Sequence, residues 1–81
     1  MTLKETILDR LQNSFPDARM QLVDTTGTND HWDLQIASDH FIGLNRVKRH
    51  QAVYKPLKDL IASNQVHALN IKAVPLAEWE F

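Results

Sequence analysis

The sequence predicts an α+β domain in two layers, with element order α-β-β-α-β-α and helices packed on one face of a three-stranded mixed sheet. Three observations predict it. Apolar residues recur at helical spacing behind a capping signal near the start, three short stretches alternate apolar and polar side chains, and a basic amphipathic segment separates the second stretch from the third. With 81 residues there is room for a single domain, 1–81, and one small core.

The first helix starts almost at once, because Thr2-Leu3-Lys4-Glu5 fits a capping box in which hydroxyl and carboxylate satisfy each other's backbone amides. Leu3, Ile7, Leu8, Leu11 and Phe15 fall on one face. Pro16 ends the helix, since a proline disfavours helical geometry in the residue before it. Met20 to Asp24 alternates and reads as a strand half-covered by that helix. Trp32 to Ser38 alternates more cleanly, with Trp32, Leu34 and Ile36 opposite Asp33 and Gln35. Between them Thr25 to His31 makes a polar connection longer than a tight hairpin needs, the kind of loop that is mobile or binds a ligand.

After a turn around Gly43, where a positive φ is expected, a helical segment begins near Asn45. Leu44, Val47, Val53 with Tyr54, Leu57, and Leu60 with Ile61 give it an inward stripe. Pro56 interrupts it, predicting either a kink or a leading helix over about 45–50 followed by a second piece ending near Ser63. Val66 to Ala73 is the third strand, with Leu69 and Ile71 inward and Asn70 and Lys72 outward. A strand, a helix and a strand in that order favour a crossover that lays the third strand parallel to the second or to its neighbour. Pro75 suits the first turn of a last short helix, poorly capped by Val74, from which Trp79 folds back over the sheet edge.

Composition narrows the function. Nine Lys and Arg against ten Asp and Glu give a net charge of −1, so no global field draws in a nucleic-acid backbone and any such binding is local. With no cysteine there is neither a disulfide nor a thiolate nucleophile or ligand. No apolar run reaches the roughly eighteen residues of a membrane span and no secretory signal is present, which predicts a cytoplasmic protein with no membrane partner. The two glycines cannot build a phosphate-cradling loop, and no nucleophile elbow, zinc-protease or calcium-loop pattern occurs. Ser14, Ser38 and Ser63 sit where turns and helix ends place serines. The expectation is a protein without catalysis.

Four histidines remain as candidate ligands, because imidazole binds iron, zinc and copper. By its residues alone, His67 is a half-buried histidine at the start of the third strand. His31 ends the long loop, His40 is solvated in a turn, and His50 packs against a helix end. Arg46, Lys48, Arg49, Lys55 and Lys58 make the helical segment basic, and two helices joined at a bend are similar to a helix-turn-helix.

The ordered series Phe41 and Gly43, Arg46-Val47-Lys48-Arg49-His50, Val53-Tyr54, Val66-His67-Ala68-Leu69 and Pro75 to Trp79 resembles the BolA family signature across nearly the whole chain. That resemblance implies a non-enzymatic adaptor that docks on a monothiol glutaredoxin and helps to hold a shared [2Fe–2S] cluster in iron homeostasis or cluster trafficking. It makes His67 a ligand, with the partner's cysteine and glutathione supplying sulfur. A second family ligand comes from the loop between the first two strands, where His31 is the candidate. His31 directly precedes Trp32, a place where family members often carry a histidine besides the loop ligand. The alternative implied is a transcriptional regulator that binds DNA through Arg46, Lys48, Arg49, His50 and Lys55, on a topology similar to the class II KH fold. Gly43-Leu44-Asn45-Arg46 lacks the second glycine of the KH clamp. A homodimer of the chain alone is left open.

Overall fold

The computed structural model describes residues 1–28 and 31–79. Helix α1 (Leu3–Ser14) opens with the expected box: the Thr2 hydroxyl accepts from the Glu5 amide at 3.1 Å, and the Glu5 carboxylate accepts from the Thr2 amide at 3.2 Å. Strand β1 (Arg19–Asp24) pairs antiparallel with β2 (His31–Ala37), and β2 pairs parallel with β3 (Ala68–Val74), giving the order β1-β2-β3. The mixed sheet is therefore as predicted. Residues 25–28 of the β1–β2 loop are seen, and 29 and 30 lie outside the described residues.

A 3-10 turn at Asp39–Phe41 leads through Gly43, whose φ is +79°, into α2 (Arg46–Tyr54), capped by the Asn45 side chain on the Lys48 amide. A second 3-10 turn, Lys55–Leu57, joins it to α3 (Lys58–Ala62). The leading helix thus runs to Tyr54 rather than stopping near residue 50. The break falls at Pro56, which cannot donate to a carbonyl one turn back. The inward stripe also differs from expectation: Val53, Leu57 and Leu60 are buried, whereas Val47 is 64% and Tyr54 38% exposed. Beyond β3 the last element is a 3-10 turn, Leu76–Glu78, with Pro75 rather than Val74 at its cap position and no side-chain cap.

One core joins the two layers. Ile7, Leu11 and Phe15 from α1 and Val53, Leu57 and Leu60 from the α2–α3 unit pack on Leu22, Trp32, Leu34, Ile36 and Ile71 of the sheet. Fully burying one such side chain stabilises by about 1.5–3 kcal/mol, which is what fixes the helices over one sheet face. On the outside, Arg10 of α1 pairs with Asp59 of α3, and both groups shift to favour their charged forms, chiefly through that hydrogen bond. As an exposed pair it adds little stability.

Candidate metal-ligating histidine pair

Parallel register brings His31 and His67 together. His31 is the first residue of β2 and pairs with Ala68, the first of β3, so the residue before Ala68 lies at the same end of the sheet. The two imidazole rings stand 6.3 Å apart between centroids and nearly perpendicular, at 83°.

The backbone that carries each ring is held by structure on its own side. The carbonyl of His31 accepts from both the amide and the hydroxyl of Thr25, at 3.0 and 3.2 Å. The Asp24 carboxylate accepts from the amides of Thr26 and Gly27, folding the loop start into an Asx turn around a Gly27 with φ of +73°. Trp32, 2% exposed, then anchors the strand immediately after His31. On the other side, α3 ends with Asn64 at φ +63°, and the amides of Gln65 and Val66 both donate to the Leu60 carbonyl. Val66 is buried and His67 emerges exposed directly after it, one residue ahead of the strand rather than within it.

The pair is accessible. His67 is exposed and His31 half-buried, and both lie at the same end of the sheet. A metal bonded to an imidazole nitrogen sits about 2 Å from it, which makes two rings at this separation compatible with a common centre after small rotations. Among the described residues no group of three or more His, Cys, Asp or Glu converges on such a centre.

The basic segment divides. Arg46, Lys48 and Lys55 are exposed. Arg49, expected among the contact cations, instead turns inward: its Nε donates to the Leu44 carbonyl at 2.8 Å and its Nη1 to the Ala73 carbonyl at 3.0 Å, tying α2 to β3. His50 is half-buried with its ring edge-on to Tyr54, 6.5 Å between centroids. Arg46, Arg49 and His50 line one cleft with Lys72 of β3, whereas Lys55 belongs to a separate apolar groove with Tyr54 and Ile61. His40 is exposed, as expected, and stands edge-on to Phe15 at 5.1 Å.

A family model for the BolA-like protein matches residues 3–78. The chain belongs to the BolA family. Among BolA relatives, the acid stress protein IbaG of Escherichia coli K12 is 42% identical over 60 residues, covering 74% of this chain and 71% of that one. The DNA-binding transcriptional regulator BolA of the same strain is 29% identical over 87 residues, covering 99% and 82%. In three dimensions the fold is similar to BolA1 from Arabidopsis thaliana, with a TM-score of 0.88 at 25% identity and 99% of each chain covered.

One polar cluster of this BolA domain escaped the sequence reading. The buried Ser38 hydroxyl donates to Asp17 Oδ1 at 2.6 Å, the Asp39 amide donates to Asp17 Oδ2 at 2.9 Å, and the Ser38 oxygen in turn accepts from the His40 amide. Ser38 donation above all, then the Asp39 amide, holds the Asp17 carboxyl below the usual aspartate range. The only local signal was a serine and an aspartate at a strand end, which reads equally well as an ordinary turn.

Proposed function

We propose that this BolA-family chain is a non-catalytic adaptor that docks on a monothiol glutaredoxin and offers His67, with His31, as nitrogen ligands to a shared [2Fe–2S] cluster. The observation that carries the reading is the pair of imidazoles 6.3 Å apart at an accessible sheet end. A cysteine-free chain with two nitrogen donors fits a cluster whose sulfur ligands come from the partner's cysteine and from glutathione. Imidazole in place of thiolate raises the potential of such a cluster. On the protein side, only the neutral ring coordinates, so acid loosens the histidine's hold. That property gives a chemical route from pH to cluster release, in keeping with a relative named as an acid stress protein.

The test is a titration of the chain into a cluster-loaded monothiol glutaredoxin, followed by visible absorption and circular dichroism. The wild-type chain is expected to change both spectra. His67→Ala removes most of the change and His31→Ala a smaller part, while the unfolding free energy of the exposed-site variant His67→Ala stays within about 0.5 kcal/mol of wild type. Spectra indifferent to the chain and to both substitutions would overturn the reading.

The second reading, a DNA-binding regulator, is favoured by the relative that carries that name and by the exposure of Arg46, Lys48 and Lys55. It requires duplex affinity that falls steeply with salt and with neutralisation of those residues.

A further inference from the structure

Strand β3 is the last in the sheet, with β2 on one side only. The Val74 carbonyl accepts from the Ser38 amide on the β2 side, and main-chain groups alternate in direction along a strand, so Leu69, Ile71 and Ala73 present theirs at the outer edge. Ala73 confirms that direction, since its carbonyl receives Arg49 from α2.

Beside this edge lies a cleft of about 430 Å³ between α2 and β3, lined by Arg46, Arg49, His50, Asn70 and Lys72 and, among the described residues, by no carboxylate. A single lysine on an edge strand is ordinary protection against strand-to-strand aggregation. Here the charge lies on both sides of the edge. Ile71 and Ala73 are buried on the helix face, where Arg46 and His50 stand, so Lys72 projects from the opposite face.

We infer that the outer edge of β3 is a docking site for an extended acidic segment of another protein, which adds as a fourth strand. Its main chain pairs with Leu69 and Ile71, short of the Ala73 carbonyl that Arg49 already holds, and its acidic side chains meet Arg46 on one face and Lys72 on the other. A second copy of this chain is disfavoured as occupant, because pairing two such edges sets Arg46 and Lys72 against their own like charges. A nucleic acid satisfies the cations and leaves the alternating main-chain carbonyls and amides without strand partners. The inference stands apart from the histidine pair, which lies at the start of the strands, and does not require a cluster.

The experiment titrates the full chain with the acetylated and amidated peptide Glu-Thr-Val-Glu-Asp-Val-Glu, observed by amide NMR. The expected result is that the Leu69 and Ile71 amides shift most and become protected from solvent exchange, with affinity that weakens as salt rises. Arg46→Glu with Lys72→Glu, both exposed positions, lowers affinity by about tenfold or more. The same peptide N-methylated at alternate residues keeps its charge, loses its main-chain donors, and fails to bind. Equal binding of the methylated peptide would reduce the site to a charge patch and overturn the inference. So would tighter binding of oligothymidylate at the same amides, or sedimentation showing dimers that the charge reversals strengthen.

Discussion

Strand β2 begins at His31 and ends at Ala37, and its two ends are built for different purposes. At the far end the polar groups Ser38 and Arg49 are tied into the structure. Asp17 holds Ser38 and Asp39, Arg49 holds the Leu44 and Ala73 carbonyls, and Phe41, fully buried, packs on Phe15 with centroids 5.2 Å apart. At the near end Asp24 holds the start of one loop and the Asn64 turn shapes the other, yet of the two rings that follow, His67 is exposed and His31 half-buried. One end uses hydrogen bonds to close the core. The other uses them to present side chains that contribute little to it, which is the arrangement expected where binding rather than packing is the task.

The comparison breaks most easily at Phe41. Phe41→Ala deletes a ring with no exposure from the closed end and is expected to cost about 3–5 kcal/mol, read as a fall in the urea midpoint. For a domain this small that is a large share of total stability. A loss under about 1 kcal/mol would mean that the closed end is not the structural one. Arg49→Met sharpens the contrast. It keeps an apolar stem and removes two charge-assisted bonds to main-chain carbonyls, for an expected loss of about 1.5–3 kcal/mol. Were Arg49 instead a DNA contact, the substitution would leave stability unchanged and weaken duplex binding.

Arg49 also explains what could and could not be read from sequence. The capping box of α1 and the alternation of β2 were legible because each depends on neighbours a few residues apart. The inward face of α2 was misjudged because it runs through Arg49 and Val53 rather than through Val47. A guanidinium that finds two carbonyls takes an inward position that apolar periodicity does not mark. Tyr54 looked like core and instead stands on the outer face beside His50. The meeting of His31 and His67 is a matter of parallel register between distant strands, and no local pattern reports it. It was reachable only through the family resemblance, as an expectation about two separate residues.

The smallest expected effect concerns acid at the closed end. Asp17 titrates below the ordinary aspartate range because Ser38 and the Asp39 amide hydrogen-bond its ionised form. A carboxyl depressed on folding binds protons more readily in the unfolded chain. Its contribution is therefore complete above the unfolded value, about 3.9, and is lost as pH falls through the lower folded value. Wild type and Asp17→Asn are expected to differ in stability by a constant amount from pH 7 to 5 and to converge below about pH 4. Asp59→Asn serves as the control: its exposed pairing with Arg10 should move the curve less. Parallel curves for wild type and Asp17→Asn down to pH 2 would show that the Ser38 contact does not depend on the ionised form. The polar closure of that end would then rest on Arg49 and its two carbonyls rather than on the Asp17 carboxylate.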